Sequence, residues 1–261
     1  MLRYCFVLMV LISPSTWGQD GIANDSMANI TAGEYRPLYL SSDSPLVSVA
    51  PFMLDKQPVT NRQYKKFVVE NPKWQRDAVP SLFVESAYLS HWVNTSNQYE
   101  PKSTDLENPV IYVSWYVAQA YCQAQNKRLP TVAEWEYVAQ ASFIQKDGSQ
   151  ESGYNQKILD WYAKAAMQTP TEVGKDQPNY WGVHNMHGLI WEWTEDFNSE
   201  LISGESRNDS SVDKELYCAS GSAGAASPSD YAAFMRYGFR SSLNAKFTLN
   251  SLGFRCAKDG Y

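Results

Sequence analysis

Long apolar runs and clusters of basic residues are both missing from this sequence. The longest uninterrupted apolar stretch, from Cys5 to Ile12, has eight residues, whereas a helix needs about 20 to cross a membrane. The chain carries 22 basic and 28 acidic side chains, a formal charge of −6, and its basic residues form no run. These absences argue against a membrane-spanning protein and against nucleic acid or an anionic membrane as the main partner.

Residues that bind transition metals are also scarce. The chain has three histidines, His91, His184 and His187. The last two lie three positions apart and could share one face of a turn, but an iron site also needs facing carboxylates or further histidines. We favour hydrogen-bonded loop histidines over metal ligands for this pair, and His91 has no visible partner. The sequence therefore does not support iron.

The N-terminal segment has the pattern of a secretory signal peptide. Arg3 precedes the short apolar stretch, and small or turn residues follow, with a cleavage position after Gly18. We predict a signal peptide over 1–18, a flexible N-terminus over 19–30 and a periplasmic or secreted protein, with an uncleaved signal anchor as the alternative. Cleavage leaves three cysteines in an oxidising compartment, which allows one disulfide and one leftover thiol.

Aromatic residues are what the chain has in abundance, with nine Trp, 17 Tyr and 10 Phe. This composition is typical of compact, loop-rich proteins. Capping-box patterns predict helices that begin after Thr60 and Thr131, and Ser114 predicts a third helix start. We predict irregular connections over 71–109 and 142–180, a buried strand over 110–113 and a terminal strand over 252–256. No break in composition divides the chain, so one domain is expected over 31–261.

Four segments carry a resemblance to a known family. They are PFMLDKQPVTNRQYKKFV (51–68), NPVIYVSWYVAQAYCQAQNKRLPTVAEWEYVAQA (108–141), WGVHNMHGLIWEWTEDF (181–197) and FRSSLNAKFTLNSLGFRCA (239–257). In this order they resemble the formylglycine-generating enzyme (sulfatase-modifying factor) family. The resemblance implies a loop-rich α+β fold related to C-type lectins, with few short helices and strands.

The copper site of this family is incomplete in the sequence. Formylglycine-generating enzymes resemble one another in two cysteines shortly before the closing GFRC segment, which bind copper, and thiolates are the ligands that Cu(I) prefers. Here no cysteine lies between Cys218 and Cys256. Counted back from GFRC without gaps, Ser227 and Ala232 occupy the two positions. Copper is therefore not supported.

Several functions remain compatible with the resemblance. The first is an exported maturation or accessory factor, or an oxidative tailoring enzyme, that acts on an exported protein or a peptide-derived substrate. If it is catalytic, an oxidoreductase of the sulfatase-modifying-factor type is implied. The alternatives are a non-catalytic lectin-like binding or scaffold module, and the standard formylglycine-generating oxidase, which requires the missing thiol pair.

The segment NMHGLIWEW resembles a calcium site of the family. The ligands implied are the side chains of Asn185 and Glu192 and the backbone carbonyls of Gly188 and Ile190. Calcium binds six to eight hard oxygens, and a kinked loop can supply carbonyls. The alternative is that both side chains hydrogen-bond within the loop without a metal.

The resemblance also implies a disulfide between Cys122 and Cys256. Cys218 is then left over, either as a small buried residue or as a reactive thiol, and a Cys218–Cys256 bridge is the competing possibility.

The family's substrate groove is expected to run past the WEW loop. The groove candidates are Trp191, Tyr231, Arg236 and Cys218. Arg236 and Tyr231 are expected to be the exposed members of this groove. Arg240 and Arg255 are expected to be buried and paired with a carboxylate of Glu134, Glu136 or Glu192.

Overall fold

The computed structural model describes residues 26–36, 46–96, 98–149, 151–165, 169–198, 235–236 and 238–260. Within these ranges the largest sheet has three antiparallel strands, β1 (Met27–Ile30), β4 (Phe52–Asp55) and β9 (Ala257–Asp259), with β4 in the middle. Ile30 lies opposite Phe52, and Leu54 lies opposite Ala257. The sheet therefore joins the beginning of the described chain to its end.

Strand β1 corrects the predicted flexible N-terminus. All four of its residues pair with β4, and Met27, Ala28 and Ile30 are buried. The prediction followed from the polar composition of 19–29, but the apolar side chains of β1 bury their surface on the sheet. It is wrong for Met27–Ile30. The predicted signal peptide lies outside the described residues.

The described residues also form three two-stranded sheets. Strands β2 (Gly33–Tyr35) and β3 (Val47–Val49) pair antiparallel, as do β5 (Val93–Thr95) and β6 (Gln98–Glu100). Strands β7 (Trp191–Glu192) and β8 (Leu252–Gly253) pair parallel. Besides the β5–β6 hairpin, the connection predicted as irregular over 71–109 contains short 3-10 helices at Pro72–Trp74 and Ser103–Asp105.

The strand predicted over 110–113 does not form. Val110 and Val113 are fully buried, as the apolar pattern indicates. However, Tyr112 between them has a φ of 55°, in the left-handed region, which interrupts an extended backbone. The segment is held instead by single contacts, such as the 2.8 Å hydrogen bond from Val110 N to Val59 O.

Four α-helices are present in the described residues: α1 (Asn61–Glu70), α2 (Trp115–Ala124), α3 (Val132–Ala139) and α4 (Tyr154–Ala165). The first three begin where their caps predict. Thr60 and Thr131 form complete capping boxes, and the Ser114 hydroxyl accepts a hydrogen bond from Val117 N. Helix α4 lies in the stretch predicted to be irregular. None of these helices is long and apolar enough to span a bilayer.

An aromatic cluster forms the centre of the larger core. Tyr64 of α1 packs against Phe67, Tyr121 and Phe254 with ring centroids 5.5 to 6.2 Å apart. The Tyr64 hydroxyl lies 2.9 Å from the Tyr88 hydroxyl. This buried polar group therefore has a hydrogen-bond partner. Short strands, short helices and an aromatic core confirm the predicted loop-rich α+β fold.

Cys122 on α2 and Cys256 before β9 meet inside this core. Both residues are fully buried, and their Cα atoms lie 5.6 Å apart, within the range that a disulfide spans. The structure thus brings the predicted pair together.

Candidate functional site

The WEW loop (residues 191–193) is held in place by the parallel pairing of β7 with β8. Trp191 N donates to Ser251 O at 2.7 Å, and Trp193 N donates to Gly253 O at 2.9 Å. Gly253 is required here, because a Cβ at this position would lie 2.3 Å from Val110 O. Successive strand residues point to opposite faces. Trp191 is accordingly half-buried while its neighbour Glu192 is buried.

Glu192 is the partner of a fully buried arginine. Its Oε2 accepts from Arg255 Nε at 2.7 Å and from Trp135 Nε1 at 2.9 Å, and its Oε1 accepts from Arg255 Nη2 at 2.8 Å. Arg255 Nη2 also donates to His184 O at 2.9 Å. The prediction that Arg255 is buried and paired with a carboxylate is confirmed. The Glu192–Arg255 ion pair therefore connects β7 with the segment before β9.

A second carboxylate, that of Glu136 on α3, forms ion pairs with two arginines. Arg236 Nη2 lies 2.8 Å and Arg240 Nη1 lies 2.6 Å from its oxygens. Burial alone would raise the pKa of Glu136, but the two guanidinium charges outweigh burial and lower the pKa to about 2. The Cζ atom of Arg240 also lies over the ring of Trp135, 4.8 Å from its centroid, which is a cation–π contact.

This arrangement corrects the expectation for Arg236. As an exposed groove residue it was predicted to face solvent, but it is only 4% exposed. Its guanidinium is drawn inward because Glu136 accepts from both Nε and Nη2. Arg240 is buried and paired with Glu136, as predicted.

A small pocket lies between the WEW loop and the side chains of Arg236, Phe239 and Arg240. We call it the Trp191 pocket. Trp191 stacks on Phe239 with centroids 4.2 Å apart and tilts against Trp161 at 5.4 Å. Trp161 comes from α4 and was missed by the sequence analysis. Among the residues that the structure describes, the pocket is lined by Trp135, Trp161, Met186, Ile190, Trp191, Glu192, Arg236, Phe239 and Arg240.

His184 and His187 each lie within hydrogen-bonding distance of a backbone carbonyl. His184 Nδ1 lies 3.0 Å from Asp176 O, whereas His187 Nε2 donates to Ala139 O at 2.8 Å. Burial lowers the pKa of His187 to about 4, so the ring is neutral at pH 7. In the described ranges, no group of three or more His, Cys, Asp or Glu side chains is placed to hold a metal ion.

Comparison with known sequences identifies the family. The family profile described as sulfatase-modifying factor enzyme 1-like domain matches residues 18–260. The chain belongs to this family. It is 27% identical over 297 residues to the formylglycine-generating enzyme of Streptomyces coelicolor, which covers 94% of this chain and 90% of that enzyme.

Two mouse proteins are also similar. The chain is 28% identical over 188 residues to the formylglycine-generating enzyme of Mus musculus, covering 58% of this chain and 50% of that enzyme. It is 30% identical over 185 residues to the inactive C-alpha-formylglycine-generating enzyme 2 of Mus musculus, covering 57% of this chain and 59% of that protein. The chain thus spans about half the length of the mouse enzyme.

The calcium loop implied by the sulfatase-modifying-factor family is partly engaged in other contacts. Asn185 Oδ1 accepts from Gly174 N at 2.7 Å, and the Glu192 carboxylate is shared with Arg255. By contrast, the carbonyl groups of Gly188 and Ile190 accept no hydrogen bond within the part of the chain that the structure describes. Two carbonyls, an amide oxygen and one carboxylate form an all-oxygen donor set that suits calcium. The guanidinium of Arg255 competes for the carboxylate.

The remaining site residues predicted from the sequence fall outside the described ranges. These are Tyr231 and Cys218 among the groove candidates, and Ser227 and Ala232 at the positions of the family's copper-binding cysteines. Trp191 and Arg236 are thus the two groove candidates that the structure places, and both line the Trp191 pocket.

Proposed function

We propose that this chain is an exported member of the sulfatase-modifying-factor family that acts as a maturation or accessory factor for another exported protein or a peptide-derived substrate. The observation that carries the proposal is the Trp191 pocket, where half-buried aromatic rings lie next to two buried arginines. Aromatic rings and arginine are the side chains most enriched where proteins bind partners.

The standard formylglycine-generating reaction does not fit this chain. A Cu(I) centre with two thiolates needs two cysteines, and the sequence has none between Cys218 and Cys256. The name of the mouse relative that is called inactive records that the family contains a member without this activity. Any catalysis here is an oxidation that departs from the copper-dithiolate mechanism; the alternative function is a binding or scaffold module.

Export and calcium are further parts of the proposal. Arg3, the short apolar stretch and the small residues up to Gly18 support a cleaved signal peptide over 1–18, which sends the protein to the periplasm or outside the cell. The oxygen donors of Asn185, Gly188, Ile190 and Glu192 would hold a structural calcium ion, which would fix the loop next to β7.

Metal content and formylglycine formation test the proposed function together. We expect protein purified from its native compartment, without chelator, to contain about one calcium per chain and no stoichiometric copper or iron. We also expect no conversion of cysteine to formylglycine in a sulfatase-type peptide supplied with Cu(I) and oxygen, as followed by mass spectrometry. The Streptomyces coelicolor enzyme is the positive control. Stoichiometric redox metal or formylglycine in the product would contradict the proposal.

We propose that the Cys122–Cys256 disulfide forms in the exported protein. It closes a loop of 134 residues, and removing a disulfide of this kind costs about 2–4 kcal/mol of unfolding free energy. Cys122→Ser with Cys256→Ser should therefore lower stability by this amount in urea denaturation, while Cys218→Ser should not. Peptide mapping without reductant should show the 122–256 link; a 218–256 link would contradict this pairing.

A further inference from the structure

A short segment outside the calcium loop, residues 174–176, contacts the first residue of that loop. Asp176 Oδ2 accepts from Asn185 N at 2.8 Å, and Gly174 N donates to Asn185 Oδ1 at 2.7 Å. His184 Nδ1 lies 3.0 Å from Asp176 O and 3.2 Å from Asp176 Oδ1, so both oxygens of Asp176 accept from this ring. The segment therefore holds both the backbone and the side chain of Asn185.

The backbone of Asn185 has a conformation that needs such support. Its φ of 57° lies in the left-handed region, which is unfavourable for residues other than glycine, although Asn adopts it more readily than most. The preceding residue is fixed as well, because His184 N donates to Lys56 O at 2.8 Å and His184 O accepts from Arg255 Nη2 at 2.9 Å. Unfavourable backbone conformations persist where the surrounding contacts impose them.

The hydrogen bond from Gly174 orients the Asn185 side chain and still leaves it able to bind an ion. An amide oxygen has two lone pairs, and Gly174 N uses one of them. Gly174 has a φ of 70°, and a Cβ at this position would lie 2.2 Å from Gln57 Nε2. The segment thus comes this close because residue 174 has no side chain.

We propose that Asp176 is a positioning residue for the calcium loop. Its carboxylate holds Asn185 in the left-handed conformation in which Oδ1 serves as a calcium ligand. Asp176 is not one of the four donors and acts through Asn185. Groups that orient a metal ligand from behind typically change metal affinity by about 10–100-fold. This inference rests on the calcium site of the proposed function.

Calcium titrations of the full-length mature protein test this role, with calorimetry after removal of bound metal by chelator. We expect the wild type to bind one calcium per chain. Asp176→Ala keeps the backbone oxygen near His184 but removes the acceptor of Asn185 N, so calcium binding should weaken about tenfold or more. Asp176→Asn retains a side-chain oxygen that can accept from Asn185 N, so it should keep most of the affinity.

A control variant separates position from charge. Glu172→Gln removes a negative charge four positions from Asp176, where the carboxylate pairs with Lys175 at 2.8 Å, and should bind calcium like the wild type. Urea denaturation with calcium and with chelator separates positioning from folding. A residue that only stabilises the fold would lower stability equally in both, whereas Asp176→Ala should also reduce the stabilisation that calcium gives. If Asp176→Ala does not fold, Gly174→Ala replaces it, because its Cβ would displace Gly174 N from Asn185.

Three results would overturn the inference while the wild type binds calcium. One is a folded Asp176→Ala variant that binds calcium as tightly as the wild type. The others are an Asp176→Asn or a Glu172→Gln variant that binds as weakly as Asp176→Ala, since charge would then be the cause. A wild-type protein that binds no calcium would instead contradict the calcium site of the proposed function, and the inference would fall with it.

Discussion

Lowering the pH from 7 to 5 is expected to destabilise the protein by about 2 kcal/mol for each of two largely buried histidines. Burial lowers the pKa of both His91 and His187 to about 4. His91 Nε2 lies 3.0 Å from Asn61 Oδ1, and His187 Nε2 donates to Ala139 O. In both rings Nδ1 is buried and has no hydrogen-bond partner among the residues that the structure describes.

The direction follows from proton binding in the two states. In the unfolded chain a histidine takes up its proton near pH 6.5, whereas in the folded protein these two do so near pH 4. Between these values the unfolded state binds more protons, so folding stability falls as the pH falls. The full contribution is present above about pH 6.5 and is lost on the way to pH 4. Glu136 has a pKa of about 2 in the folded protein, so its protonation reduces stability only at lower pH.

Urea denaturation at half-unit steps between pH 7 and 5 measures this effect. His91→Gln and His187→Gln retain a donor near the Nε2 position but do not titrate, so each should remove about half of the slope. His184→Gln is the matched control, because it removes the remaining histidine without touching either buried ring. An unchanged slope in the His91→Gln, His187→Gln double variant would show that other groups cause the pH dependence.

Local signals explain why the helix starts could be predicted. A capping box involves residues three positions apart, so Thr60 with Gln63 and Thr131 with Glu134 are visible without knowledge of the fold. Helix α4 also has a signal, since Tyr154, Ile158 and Trp161 follow helical spacing. It was missed because the surrounding residues are rich in Gly, Ser and Gln. Because the helix was not predicted, Trp161 was not predicted to line the pocket either.

Nonlocal contacts could not be predicted to the same degree. That Arg240 and Arg255 would be paired was predicted, but which carboxylate each would take depends on how α3 and β7 pack. Arg236 was misplaced for the same reason. Its partner Glu136 lies 100 positions away along the chain, and nothing in the local sequence distinguishes a groove arginine from one that joins a shared carboxylate.

The second large effect is expected at that shared carboxylate. Glu136→Gln should destabilise the protein by about 3–5 kcal/mol, the usual cost of leaving a buried charge without its partner. The substitution preserves shape but removes the negative charge that Arg236 and Arg240, 4% and 6% exposed, share. Chemical denaturation of the variant and the wild type at pH 7 gives the difference directly.

Two further variants decide whether charge is the cause. Glu107→Gln breaks an exposed pair with Arg62, whose side chains are 49% and 60% exposed, and should cost less than about 1 kcal/mol. If like-charge repulsion dominates, Arg240→Gln should cost less in the Glu136→Gln background than in the wild type, because it then removes a repelling group instead of a paired one. A Glu136→Gln variant that is no less stable than Glu107→Gln would mean that Arg236 and Arg240 do not depend on this carboxylate to balance their charges.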